Sequence, residues 1–195
     1  MNELIAKIEQ WANDRNIIKG SKPIDQAMKL FSEFGELADN VGKGRDCRDD
    51  IGDIFVVLTI IGAQTDIGMW ESIENDYIDS EDPDYEYNKV TNNLRFGMLE
   101  NTPIKELVIE LQDKLAGFFS ESYDLNGEYD DHILSSVEIL NAIAVSNGHT
   151  LEECVQIAYD DIKDRKGIMS NGVFIKESDP AYESIIKAIE VNCGE

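Results

Sequence analysis

Between Ile51 and Ile61 only Gly52, Asp53 and Thr59 interrupt an otherwise apolar run. A helix with that pattern is hydrophobic on nearly every face and has to be buried all round. The longest apolar stretch here, residues 54–63 with Thr59 and Gly62 in it, is about half of the ~20 residues a membrane span needs. The run therefore predicts a central helix around which a globular chain is wrapped. Asp46 or Asp49 starts it, because acidic residues suit the positive end of a helix, and residues 62–68 carry it out to a turn.

The flanking sequence supplies the wrapping. Leu4, Ile5, Ile8, Trp11 and Ala12 share one face of a helix over residues 3–13. Residues 14–22 read as a loop. Pro23 then opens a second helix at a favoured first-turn position, with an apolar stripe of Ile24, Ala27, Met28, Phe31, Phe34, Leu37, Ala38 and Val41. Gly42 and Gly44 end it. Beyond the central helix, residues 69–77 read as a short helix, residues 76–84 as an acidic loop broken by Pro83, and residues 88–99 as weakly patterned. Pro103 opens a helix reaching Phe118 and Phe119, and residues 131–145 form another. Thr150, with Glu153 three residues later, caps a helix from Leu151 to about Lys166, which Gly167 stops. Residues 172–176 read as a short extended tail and residues 181–191 as a terminal helix. No strand pattern is convincing, so the expected fold class is all-α, an antiparallel helical bundle.

Charge limits the function classes. The 195 residues carry 40 acidic and 17 basic side chains, a formal net charge of −23. Such a surface repels nucleic-acid backbone and anionic membrane alike. Cys47, Cys154 and Cys193 are far apart and form no C-x-x-C pair. With only His132 and His149 beside them they build neither a disulfide framework nor a structural zinc site, which suits a reducing compartment. The start of the chain lacks the order of a signal peptide, so a cytoplasmic protein is expected. Neither a P-loop nor a dinucleotide-binding glycine pattern is present. His132 and His149 read as solvent-exposed, and Trp11 and Trp70 as core or interface residues.

Two pairs of carboxylates stand out from the general acidity. Glu33 and Glu36 lie in FSEFGELAD, Asp50 and Asp53 in DDIGDIFVVL. Residues three apart share a helix face, and the short connection between the two helices makes them antiparallel neighbours, so four carboxylates converge near one point. Asp53 is the informative member, since it interrupts the core run. An ionised carboxylate buried there costs several kcal/mol unless compensated, and no Arg or Lys occurs between Arg48 and Lys89. A hard divalent cation would supply the compensation. Asp50 alone also reads as an ordinary helix N-terminal acid. Gly35 and Gly52, one inside each pair, would let the hairpin pack closely or admit a ligand.

The second half echoes the first at an offset of about 80 residues. Pro23-Ile24 and Pro103-Ile104 each open an amphipathic helix, and the pairs Asp49-Asp50 and Asp130-Asp131 each precede a second apolar one. The echo lacks the acids, because Asp113 and Ala116 stand where Glu33 and Glu36 would repeat. The second half is thus a degenerate duplication or merely another helical hairpin of similar length.

The segments Glu33-Phe-Gly-Glu36-Leu-Ala and Asp50-Ile-Gly-Asp53-Ile resemble the paired motifs, E-x-x-E and E-x-x-D, of the MazG-like all-α nucleoside triphosphate pyrophosphohydrolase superfamily. Ile8-Glu-Gln-Trp11 is similar to its first helix. The run from Leu151 through Arg165-Lys166-Gly167, with Asn171-Gly-Val-Phe-Ile-Lys176, is similar to its last helix and tail. The resemblance covers residues 1–68 and 150–177. It implies a MazG-like domain over residues 1–177, with residues 69–149 an insertion or second copy and residues 178–195 a helical tail. The departure is Asp50, where the family usually has Glu.

The resemblance implies hydrolysis of (deoxy)nucleoside triphosphates to monophosphate and pyrophosphate. Mg²⁺, or Mn²⁺ in its place, would be held by Glu33, Glu36, Asp50 and Asp53, with Glu33 or Glu36 as general base. Lys29, Arg165, Lys166 and Lys176 are the expected phosphate contacts. Their plainer roles are a helix ion pair for Lys29 and last-turn cations for Arg165 and Lys166. A narrower dUTPase-like, dCTPase-like or phosphoribosyl-ATP-hydrolysing enzyme, or an inactive acidic binding protein, fits the same motifs. The expected assembly is a homodimer, or a monomer in which the second copy replaces a partner subunit.

Overall fold

The computed structural model describes residues 1–65, 99, 101–121 and 129–193. It contains α1 (Asn2–Asp14), α2 (Ile17–Gly20), α3 (Pro23–Lys43), α4 (Arg48–Gln64), α5 (Ile104–Glu121), α6 (Tyr129–Ser146), α7 (Leu151–Ile162), β1 (Gly167–Ser170), β2 (Val173–Lys176) and α8 (Tyr182–Cys193). The expectations for residues 66–98, including the short helix at 69–77, the acidic loop and Trp70, lie outside the described residues.

The chain is mostly helical, and α4 is its centre. Every residue from Asp50 to Gly62 is buried except Asp53, which is half-buried. Helices α1, α3, α6 and α7 all pack against α4. Its closest neighbour is α7, and Gly52 is the reason. A Cβ at that position would collide with the Cys154 carbonyl and stand 2.7 Å from the Ala158 Cβ. The glycine expected to tighten the α3–α4 hairpin therefore tightens the α4–α7 contact instead. Gly35, in contrast, faces open space.

Helix α3 begins with Pro23 in its first turn, and Asp25 accepts a hydrogen bond of 2.8 Å from the Lys22 backbone N–H. It ends at Gly44, whose φ is 65°, while Gly42 lies inside the helix. Residues 44–47 lead directly into α4. A second hairpin, α5 with α6, packs on the first through α5 against α3 and α6 against α4. One chain thus builds a four-helix arrangement from two hairpins. Thr150 and Glu153 form the expected capping box at the start of α7.

Two expectations fail, each for a local reason. Residues 14–22 are not simply a loop, because Ile17 is buried and folds residues 17–20 into the single turn of α2. Helix α7 stops at Ile162, and the sequence after it forms an antiparallel β-hairpin rather than a helix end and a tail. Ser170 pairs with Val173 and Gly167 with Lys176. The turn residues Asn171 and Gly172 have φ values of 50° and 79°, as a two-residue type I′ turn requires. The Asn-Gly dipeptide was the available signal.

His132 and His149 are also not solvent-exposed. Both are half-buried, and the His132 ring lies against Gly117. Trp11 is in the core as expected. Cys47 and Cys154 are buried and free. Among the described residues, no helix is long and apolar enough to cross a membrane.

Candidate active site

A cavity of about 320 Å³ opens where α1, α2, α3, α4, the end of α7 and the β-hairpin meet. Its apolar lining includes Trp11, Ile17, Val56, Val57, Ile60 and Phe174. Trp11 and Phe174 meet edge to face, with ring centroids 6.2 Å apart. At its polar side the cavity is lined by Lys29, Glu33, Asp53, Arg165 and Lys176. In a chain of net charge −23, the three cations match the three carboxylates that line the same cavity, Asp25, Glu33 and Asp53, so the cavity is far less acidic than the rest of the molecule.

Each arrives by a different element. Lys29 and Glu33 project from successive turns of α3 and form an ion pair. Glu33 is only 2% exposed, so the pair satisfies a carboxylate that would otherwise be buried unpaired. Asp53 comes from α4. Its carboxyl is pushed up to about 6, first by burial and then by the charges of Asp49 and Glu36, against the opposing pull of Lys29 and Arg165. Lys176 comes from β2 and Arg165 from the segment joining α7 to β1.

That segment is held from α1. The Arg15 guanidinium donates from Nε to the Arg165 carbonyl at 2.7 Å, from Nη2 to the Lys163 carbonyl at 2.8 Å and from Nη1 to the Trp11 carbonyl at 3.3 Å. It also lies 5.1 Å from the centre of the Trp11 ring. The Arg165 side chain pairs with Asp161. The tip of the hairpin is fixed in turn against α3, where a side chain at Gly172 would strike the Asp25 carboxylate.

The other expected residues stand off the cavity. Asp50 is buried and accepts a hydrogen bond of 2.8 Å from the Asn40 amide. Burial raises its pKa, the Asn40 bond opposes the rise, and Glu36 adds to it. Glu36 is exposed on α3, yet its charge acts on Asp50, Asp53 and Lys29. Lys166 lies on a separate outer cleft, which Arg165 and Lys176 share.

As they stand, these acids are not gathered on one point. Among the described residues, no group of three or more Asp, Glu, His or Cys side chains is arranged to hold a metal ion. Glu33 is engaged with Lys29 and Asp50 with Asn40. The donor set nonetheless has the chemistry a hard divalent ion takes, oxygen only and anionic. Burial is the first cause of the raised pKa of both Asp53 and Asp50, and neighbouring carboxylates add to it.

Asn40, Arg15 and Phe174 escaped sequence reasoning. Asn40 is two turns beyond Glu33 on α3, so its position facing α4 was within reach of the helical period. Arg15 and Phe174 depend on contacts with segments about 150 residues away in sequence, which no local pattern reports.

No family model matches the chain, and no solved structure matches it. Over 69 residues, 34% of the chain, it is 46% identical to a protein of Haemophilus phage HP1 (strain HP1c1) described as an uncharacterized 18.2 kDa protein in the rep-hol intergenic region. The matched stretch spans 42% of that phage protein's length.

Proposed function

We propose that the cavity is the active site of a Mg²⁺-dependent nucleotide pyrophosphohydrolase, cleaving a (deoxy)nucleoside triphosphate to the monophosphate and pyrophosphate. The observation that carries this reading is that Lys29, Arg165 and Lys176 line one cavity with Glu33, Asp53 and a set of apolar side chains. The resemblance of both carboxylate motifs to the MazG-like superfamily supports it.

The parts divide the work. Lys29, Arg165 and Lys176 hold phosphate oxygens, and Lys166 extends that basic edge into the outer cleft. The apolar lining takes the base and sugar and excludes water from the bond being cleaved. A cavity of about 320 Å³ is at the small end of ligand pockets, roughly 300–1,000 Å³, which favours narrow selection among bases. Glu33, Glu36, Asp50 and Asp53 would hold the metal once Lys29 and Asn40 release their carboxylates. A bound Mg²⁺ supplies charge neutralisation on the phosphates and activation of water. Glu33 and Glu36 are the candidates for taking the proton of the attacking water.

The packing of the α5–α6 hairpin on α3 and α4 supports a chain that completes its own four-helix unit, a pseudo-dimeric monomer. Light scattering coupled to size exclusion distinguishes this from a homodimer.

Pyrophosphate release with Mg²⁺ across a panel of ribo- and deoxyribonucleoside triphosphates tests the activity. Activity is expected with a subset of bases and lost in Asp53→Ala. Absence of pyrophosphate with every nucleotide, or full activity in that variant, would sink the reading.

A further inference from the structure

The Lys29–Glu33 pair is unusual for a helix ion pair. Its order, cation before anion at i, i+4, is the less favourable one against the helix dipole. The partners also differ in environment, since the Glu33 side chain is 3% exposed and that of Lys29 is 52% exposed. A long side chain rooted in solvent reaches inward to a buried carboxylate. Burial works against its charge, Asp53 and Glu36 favour it, and Lys176 and Arg165 oppose it. Lys29 lines one cavity with both the acids Glu33 and Asp53 and the cations Arg165 and Lys176.

We propose that Lys29 is the resident counter-cation of the carboxylate site: it neutralises Glu33 until a divalent ion takes that carboxylate, and is then released to the phosphate-binding edge of the cavity. The inference rests on the metal-dependent reading above and adds an exchange between two states of one side chain. The physical requirement is simple. Glu33 is too buried to stand ionised alone, and in the metal-free protein the Lys29 ammonium is the cation paired with it. A divalent ion with several oxygen donors outcompetes one ammonium for the carboxylate. The flexible four-carbon stem of lysine lets the displaced charge swing without backbone movement. Arg165 and Lys176 line the same cavity as Lys29, so a triphosphate arriving with its metal meets in Lys29 a third cation no longer engaged by Glu33.

The test uses Mn²⁺ alone, without nucleotide, read by the electron paramagnetic resonance of the free ion. Lys29→Met removes the competitor, so Mn²⁺ affinity is expected to rise about tenfold, the worth of one hydrogen bond to a charged group. Unchanged or weaker binding overturns the proposal while leaving the hydrolase reading intact. If neither protein takes up Mn²⁺, even with a non-hydrolysable triphosphate present, the proposal and the metal-dependent reading fail together.

Lys29→Met leaves Glu33 unpaired and is expected to melt lower in chelator, with a larger Mn²⁺-induced rise in Tm than the wild type shows. Amine labelling of the wild-type protein, read by mass spectrometry, removes any dependence on the variant's folding. Acetylation at Lys29 is expected to accelerate several-fold when Mn²⁺ saturates the site. A rate indifferent to Mn²⁺ contradicts the release.

Discussion

Arg15 and Arg165, 150 residues apart in sequence, are joined by a 2.7 Å hydrogen bond from the guanidinium of the first to the backbone carbonyl of the second. The same guanidinium holds the Lys163 carbonyl, so one α1 side chain ties down the segment that delivers Arg165 to the cavity. Arg15→Ala is expected to cost about 1–3 kcal/mol, from carbonyls that lose a charged donor. Because Arg15 touches the backbone behind the site, nucleotide KM should rise more than kcat falls. Arg15→Lys should recover little, since an ammonium cannot reproduce the forked geometry. Urea unfolding and steady-state kinetics on both variants provide the check. Equal loss in kcat alone would place Arg15 in the chemistry instead.

Asp53 is expected to make the metal-free protein less stable at neutral pH than in acid. Its folded-state carboxyl, at about 6, lies above the ordinary 3.8, so the folded state binds the proton more tightly than the unfolded chain. Stability from this group is fully present below pH ~4 and is lost as pH rises to ~6 and beyond. In chelator, Asp53→Asn is therefore expected to gain about 1–2 kcal/mol at pH 7.5 and nothing at pH 4. Denaturant midpoints at the two pH values decide it, and a gain equal at both would remove Asp53 as the cause.

Two glycines flanked by carboxylates should respond oppositely to alanine. Gly52→Ala drives a methyl group into the Cys154 carbonyl, so α4 and α7 must separate, at a cost of about 2–4 kcal/mol. Gly35→Ala meets nothing within 4 Å and should stabilise α3 by about 0.5–1 kcal/mol through helix propensity. Thermal melts of the pair measure both signs in one experiment.

Asn40 supports Asp50 rather than the cavity. Asn40→Ala removes the 2.8 Å amide donor and should raise the Asp50 pKa further, because burial already pushes it up and the Asn40 bond opposes that rise. The expected loss is about 1–3 kcal/mol at pH 7.5, shrinking as pH falls and Asp50 becomes protonated in both proteins. A pH-independent loss would mean that Asn40 acts through packing.

The helices were legible because their signals are local. Pro23 at the first turn of α3, Gly44 at its end and the Thr150–Glu153 box each depend on residues within one turn of one another. The burial of α4 followed from a run with no polar face. The i, i+3 spacing placed Glu33 and Asp53 near one another once the α3–α4 connection was seen to be short. Only tertiary packing decided the rest. The Asn171–Gly172 turn folds β2 back so that Lys176 and Phe174 reach a cavity built mainly by α3 and α4. Arg15 finds its partners after α7. Glu36 and Asp50, equal to Glu33 and Asp53 in spacing, fall outside that cavity because rotation about each helix is set by the neighbours it packs on. The sequence by itself thus determined which residues share a helix face. The tertiary structure decided which face meets the cavity, because that depends on contacts between segments far apart along the chain.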